Sequence, residues 1–299
     1  MGTPEFAVPS LQALVEHGYE VVGVVTATDK WGGRGNKELI ESAVKKYAVS
    51  QNLRILQPDK LKNPEFVQTL KDLRADIQVV VAFRMLPEIV WNMPPLGTLN
   101  LHGSLLPKYR GAAPIHWAVM NGDTETGLST FRLKHEIDTG DIIQQVKTPI
   151  GAEETTGEVH DRLMPMGAEL VLQTIRSIEA GKYEPIPQDE SLVCPAPKLF
   201  LENTRLQPES QTCQQMYNWV RGLNPYPTAW YKWGEEFVKI HKAKAEICMH
   251  DTPVGTIVCY PKQQFLALAA KDGWLHLEEL QLEKRRKMTK KDFLNGYKA

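Results

Sequence analysis

Two short stretches of this chain, Asn100-Leu101-His102-Gly103 and Ile137-Asp138-Thr139-Gly140-Asp141, supply an amide, an imidazole and a carboxylate. Together these three groups can move an acyl unit. The amide hydrogens of Asn100 can donate to an oxygen that becomes negative, while His102, with a reference pKa of about 6.5, can take up and return a proton. A carboxylate from a second loop, Asp138, would orient the ring and favour its charged form. Gly97 to Leu101 reads as a short strand, and side chains two apart on a strand share a face, so Asn100 and His102 point the same way. Gly103 then lets the chain turn. Singly, each residue has a duller reading: an Asn capping a turn, a His satisfied under a loop, an Asp shaping the bend before Thr139-Gly140. As a constellation they favour acyl transfer.

The elements that must position these groups alternate. Val21 to Thr26 and Ile77 to Ala82 are β-branched runs of the kind found in strands buried on both faces. Leu39 to Ala48 and Pro64 to Leu73 carry apolar residues at spacings of three and four, and Pro64 suits a first helical turn after Asn63. Further strands are expected at Leu99 to Leu101, Leu128 to Leu133 and Ile142 to Val146, and helices at Pro114 to Met120 and Thr156 to Glu179. This pattern predicts an α/β fold, a mostly parallel sheet with helices on both faces. After Gly181, Pro185, Pro187, Pro195 and Pro197 interrupt a polar stretch with the texture of an interdomain linker. One helix, Cys213 to Val220, precedes short strands at Phe237 to Ala243, Gly255 to Cys259, Phe265 to Ala269 and Trp274 to Leu280, which predict a small barrel or sandwich.

Composition narrows the class. At 299 residues, 42% hydrophobic and 24% charged, the chain has material for two globular domains. Its four cysteines, Cys194, Cys213, Cys248 and Cys259, form no CxxC pair and group with no histidines, so neither a disulfide framework nor a zinc knuckle is expected. No apolar run approaches the roughly 20 residues that span a bilayer, and Pro4 and Glu5 stand where a secretory signal would be basic and then apolar. A soluble cytoplasmic protein is expected. The net charge of −1 conceals an asymmetry: residues 1–199 hold 20 basic against 25 acidic residues, while 200–299 hold 15 against 11. The basic C-terminal part hints at a polyanionic partner, most sharply at Lys284-Arg285-Arg286-Lys287 with Lys290 and Lys291. Alone, such a run reads slightly more as solvated surface than as a nucleic-acid contact.

Four segments carry a resemblance. They are Met1-Gly2-Thr3-Pro4-Glu5-Phe6-Ala7-Val8-Pro9; Asn100 to Ile115, ending Tyr109-Arg110-Gly111-Ala112-Ala113-Pro114-Ile115; the Ile137 to Asp141 loop; and Arg221-Gly222-Leu223-Asn224-Pro225-Tyr226-Pro227-Thr228-Ala229-Trp230. By these the chain closely resembles, over nearly its full length, the methionyl-tRNA formyltransferase family, a branch of the folate-dependent formyltransferases. The second and third segments are shared by folate-dependent formyltransferases in general. The fourth discriminates most, because it lies in a C-terminal domain typical of the tRNA enzymes and absent from the glycinamide ribonucleotide enzyme.

The resemblance implies a Rossmann-like catalytic domain at 1–180, a linker at 181–203 and an OB-like tRNA-binding barrel at 204–299. It also implies a reaction: a formyl group passes from 10-formyltetrahydrofolate to the amino group of initiator methionyl-tRNA. Asn100, His102 and Asp138 are then catalytic, and no metal is required. Folate contacts are expected at Phe83, Met85 and Leu86 after the strand Ile77 to Ala82, at Ser104, Leu105, Leu106 and Pro107, and at Thr139, Gly140 and Asp141; for Met85 and Leu86, core packing is an equal alternative. Contacts to tRNA are expected at Lys30, Arg34 and Lys37 in the glycine-rich loop, and at Lys284, Arg285, Arg286 and Lys287. That loop lacks GxGxxG and GxxxxGK[ST] spacing, so it is not expected to cradle a nucleotide's phosphates. Relatives begin with a hydrophobic strand before their Gly-Thr-Pro turn, so a strand of about 5 to 6 residues is expected upstream of Met1. A monomer is expected. Two rivals stay open: a formyl-folate enzyme acting on an amino sugar or small amine, and a non-catalytic RNA-binding protein.

Overall fold

Helix caps and short β ladders set where this chain turns. The structure, a computed structural model, describes residues 1–296 apart from 34 and 36. In chain order the first half contains α1 (Val8–Glu16), β1 (Val24–Val25), β2 (Lys30–Gly32), β3 (Glu38–Ile40), α2 (Ala43–Ser50), β4 (Ile55–Leu56), α3 (Pro64–Asp72), β5 (Gln78–Val81), α4 (Glu88–Trp91), β6 (Thr98–His102), β7 (Lys108–Gly111), α5 (Pro114–Met120), β8 (Glu125–Arg132) and β9 (Ile142–Pro149). There follow α6 (Thr156–Glu179), β10 (Cys194–Ala196), α7 (Cys213–Gly222), β11 (Ala229–Trp233), β12 (Glu236–Ile247), β13 (Ile257–Tyr260), β14 (Phe265–Ala270), β15 (Gly273–Leu282), β16 (Met288–Thr289) and α8 (Lys290–Gly296). They form two compact units: Met1–Gly111, Gly127–Thr148 and His160–Pro195 in one, and Ala112–Thr126, Pro149–Val159 and the chain from Ala196 on in the other.

The first unit is α/β. β1 pairs in parallel with β4, β5 in parallel with β6, and β6 antiparallel with β8, in a sheet of order β5-β6-β8-β9. The sheet is therefore mixed, with its parallel pairs on the N-terminal side. The run Val21 to Thr26 is a ladder strand only at Val24 and Val25, opposite Ile55 and Leu56. Met1 and Gly2 bridge from it to β5: the Gly2 amide donates to the Val25 carbonyl at 3.0 Å and the Val81 amide to the Met1 carbonyl at 2.9 Å. The rest of the space between them is a cleft of about 770 Å³ lined by Val21, Val22, Val24, Ile77 and Val79 among others.

The expected helix Leu39 to Ala48 divides in two. Leu39 pairs with Trp31 across a β2–β3 hairpin, and the helix begins only after Ser42, whose hydroxyl accepts from the Lys45 amide at 3.0 Å and caps α2. α6 holds β6 in place at close range. A Cβ on Gly167 would lie 2.7 Å from the end of the Leu101 side chain, which would have to shift, so the glycine favours this close approach. Buried hydroxyls join the same layers: Thr130 on β8 bonds Thr174 on α6 at 2.8 Å, and Thr174 reaches the Gln144 amide oxygen at 2.9 Å.

The second unit contains an antiparallel half-barrel of order β11-β12-β15-β14-β13, with β16 on β15. Alternate residues of β15, Leu275 and Leu277, face a core with Val238, Ile240, Leu266 and Leu268, all fully buried. α7 opens with a capping box in which Thr212 and Gln215 each bond the other's backbone amide. The segment Arg221 to Trp230 is engaged internally. Arg221 is 7% exposed and donates to the Asn218 side chain at 2.9 Å and the Glu154 carbonyl at 3.0 Å, and the Thr156 hydroxyl donates to the Gly222 carbonyl at 2.7 Å.

Candidate active site

β6 has a partner on each side, so the backbone that carries Asn100 and His102 is fixed twice over. Asn100 lies opposite Val80 on β5 and Phe131 on β8, and His102 opposite Ser129. His102 is buried, edge-on to the Phe131 ring at 6.5 Å. Its Nε2 is 2.8 Å from the Tyr109 carbonyl oxygen. A carbonyl can only accept, so Nε2 carries the hydrogen and Nδ1 keeps the lone pair. Nδ1 faces the Asp138 Oδ2 at 3.7 Å, too far for a hydrogen bond and near enough for an ion pair once Nδ1 is protonated. The half-buried Asn100 amide has no partner among the described residues, which leaves its donors for a ligand.

Asp138 is held in a left-handed conformation, φ +56°. Its Oδ2 accepts from the Gly111 amide at 2.9 Å. Two residues on, a Cβ at Gly140 would fall 1.8 Å from the Arg132 carbonyl oxygen, so the loop passes β8 at a distance only glycine permits. The three polar groups are thus gathered by one strand, the turn that follows it and one tight loop.

The other expected contacts divide by exposure. Ser104 is fully buried, donating to the Lys108 carbonyl at 2.6 Å, and Leu106 packs against Phe131 and Ile142. Both side chains hold the turn from inside; Leu105 and Pro107 are half-buried. Met85 is 72% exposed, whereas Leu86 sits in the core with Val80 and Val90, and Phe83 lies under the Arg84 guanidinium. The Thr139 hydroxyl donates to the Glu136 carbonyl at 3.1 Å, and Asp141 pairs with Lys134 at 2.9 Å on the surface. Among the described residues, no three His, Cys, Asp or Glu side chains gather in a way that could hold a metal ion.

Lys30 and Lys37 are exposed on the β2–β3 hairpin; Arg34 lies outside the described residues. Both feet of that hairpin are tied to one ammonium. Lys45 on α2 bonds Asp29, just before β2, and Glu41, just after β3, the latter at 2.7 Å. The Lys45 hydrogen bond, and then that of Gln57, holds the Asp29 carboxyl below its ordinary value. Lys284, Arg285, Arg286 and Lys287 form an exposed turn between β15 and β16, where Lys287 pairs with Glu279.

Sequence reasoning missed the groups that orient His102 and Asp138. The Tyr109 carbonyl and Gly111 amide lie inside a motif already singled out, so that motif was a usable signal. Gln188 was not signalled at all. It lies in the proline-rich stretch, which returns to the first unit: Ile186 pairs with Ile142 through both backbone bonds, at 2.8 and 2.9 Å.

Residues 1–175 match the family model described as formyl transferase, and residues 198–298 match the formyl transferase C-terminal domain. The chain is 52% identical to a methionyl-tRNA formyltransferase from Parabacteroides distasonis, in an alignment covering 100% of this chain and 94% of that one. It is 51% identical to the protein of that name from Bacteroides fragilis, covering 99% and 94%. Among solved structures, the N-formyltransferase from Helicobacter canadensis in complex with folinic acid and dTDP-3-aminofucose superimposes with a TM-score of 0.66 over 96% of this chain and 97% of that chain. At 16% identity, that likeness concerns the fold.

Proposed function

This chain belongs to the formyl transferase family, and from that membership we infer that it transfers the formyl group of 10-formyltetrahydrofolate to the amino group of methionyl-tRNA. The single observation that carries the substrate is the identity of about half of all positions, across the whole chain, with proteins named for that reaction. The acceptor is the initiator form, and formyl-methionyl-tRNA for translation initiation is the product. The protein works as a cytoplasmic monomer, with catalysis in residues 1–180, a linker at 181–203 and tRNA binding aided by 204–299.

Attack of a neutral amine on the formyl carbon makes a C–N bond and places negative charge on the formyl oxygen. The Asn100 amide, whose N–H groups have no partner among the described residues, donates to that oxygen. The attacking nitrogen becomes cationic and must lose a proton. His102 takes it at Nδ1, the nitrogen its Tyr109 contact leaves free, and Asp138 Oδ2 at 3.7 Å stabilises the imidazolium. Return of a proton to the folate nitrogen lets the old C–N bond break and restores the neutral ring. Phe83, Met85 and Leu86, the Ser104 to Pro107 turn and the Thr139 to Asp141 loop border the folate; for the core residue Leu86 and for Ser104 and Leu106 the support is indirect, through the shape of the loops that carry them. Lys30, Arg34, Lys37 and the Lys284 to Lys287 turn meet tRNA phosphates.

A formyl-folate enzyme acting on an amino sugar is the second reading, because the same amide, imidazole and carboxylate would serve it. One assay separates them. With 10-formyltetrahydrofolate as donor, initiator methionyl-tRNA should be formylated, elongator methionyl-tRNA slowly, and dTDP-amino sugars and free methionine not at all. Preferential formylation of the amino sugar would overturn the assignment.

A further inference from the structure

We propose that Gln188 is a positioning residue that sets the Asp138 carboxylate against His102. The inference rests on the reading of Asp138 given above. Gln188 uses every hydrogen-bonding site of its amide. Nε2 donates to the Asp138 carbonyl at 2.8 Å and to the Gly140 carbonyl at 2.7 Å. Oε1 accepts from Arg110 Nε at 3.0 Å and Nη2 at 2.8 Å. A guanidinium can only donate and a backbone carbonyl can only accept, so the amide has one permitted orientation. The far side of Arg110 is fixed in turn by Glu190, through Nη2 at 2.7 Å and Nη1 at 3.0 Å, and this bond holds the Glu190 carboxyl below its ordinary value.

The network closes on Asp138 from two directions. The Arg110 side chain reaches the Asp138 carbonyl through Gln188, while the backbone amide of the next residue, Gly111, donates to Asp138 Oδ2. With φ at +56°, Asp138 occupies a conformation that costs a non-glycine residue free energy and persists only where its surroundings hold it. The Gln188 bond holds the backbone from which the side chain departs, and the Gly111 amide holds the carboxylate by its Oδ2; together they set the 3.7 Å approach to the imidazole. Loss of the amide would free the loop to relax and carry Oδ2 away from the ring.

Two substitutions in the full chain test this, each alone and combined with Asp138→Asn. Gln188→Met keeps the volume and removes all four bonds; Gln188→Glu keeps the acceptor for Arg110 and removes both donors to the loop. Both should lower kcat about 10- to 100-fold, the scale of a displaced catalytic group, with KM for donor and charged tRNA within about twofold and little loss in melting temperature. Neither should lower kcat further in the Asp138→Asn background. If kcat stays near the parent value while Asp138→Asn alone is impaired, or if the two losses multiply, Gln188 does not position Asp138. If Asp138→Asn alone is unimpaired, the reading of Asp138 fails and this inference falls with it. Should Gln188→Met not fold, Gln188→Glu decides.

Discussion

Asp138 and Lys284 are both proposed to carry charges that the reaction uses, yet the side chain of the first is 12% exposed and that of the second 90%. The difference suits the tasks proposed for them. A carboxylate that stabilises an imidazolium acts over a few ångströms, so its direction has to be fixed, here by Gly111, Gly140 and Gln188. A lysine that meets a phosphate needs reach and charge, and keeps its hydration until the polyanion arrives. Substitutions in the first region should therefore act on kcat, and those in the second on KM and its salt dependence.

The largest effect is expected at His102. His102→Ala removes the proposed proton carrier and should lower kcat about 100- to 10,000-fold with the fold unchanged by circular dichroism, as general acid–base groups commonly contribute; a loss confined to KM would dissolve the distinction between the two regions. Gly140→Ala comes next. The added methyl meets the Arg132 carbonyl oxygen at 1.8 Å, so the loop has to move, and kcat should fall roughly 10- to 100-fold with a lower melting temperature. At the basic turn, Arg285→Ala and Arg286→Ala should each leave kcat in place. Each should reduce the slope of log affinity for charged tRNA against log salt by about 0.7 to 0.9; unchanged slopes would remove this turn from the tRNA surface.

The smallest effect falls on the hairpin, which combines features of both regions: an exposed ribbon with anchored feet. Lys45→Met leaves Asp29 to Gln57 and frees Glu41, and should raise KM for charged tRNA roughly two- to fivefold, the scale of surface ion pairs, while KM for folate stays constant. The tether is also pH-dependent. Because the Asp29 carboxyl is held below its ordinary value of 3.8, its contribution is complete above that pH and is lost as pH falls through the depressed value. Hydrogen exchange of the hairpin amides, compared between parent and variant, measures it directly.

Elements whose signals are local were legible in the sequence. Pro114 to Met120 and Thr156 to Glu179 agree with α5 and α6 at both ends, because apolar spacing and a first-turn proline act within one element. The half-barrel strands were legible as β-rich runs broken by turns, three of them shorter than β12, β14 and β15 and one, Gly255 to Cys259, beginning two residues ahead of β13, but β11 was not, since it follows a proline-rich turn. Leu39 and Ile40 fit a helical stripe with Val44 and Ala48, and only the cap at Ser42 separates strand from helix there. In the site, Asn100 and His102 were legible because two-residue spacing on one strand is a local fact. The fixing of Asp138 was not: Gln188 is 50 residues from Asp138 and 78 from Arg110, and no short pattern encodes an amide shared across such separations.

The most direct measurement is the single-turnover rate of formyl transfer by Asn100→Ala, with 10-formyltetrahydrofolate and charged initiator tRNA both saturating. Loss of one oxyanion donor should slow the chemical step about 100- to 1000-fold while the dissociation constants of both substrates stay within twofold. A transfer rate close to that of the parent chain would contradict the site.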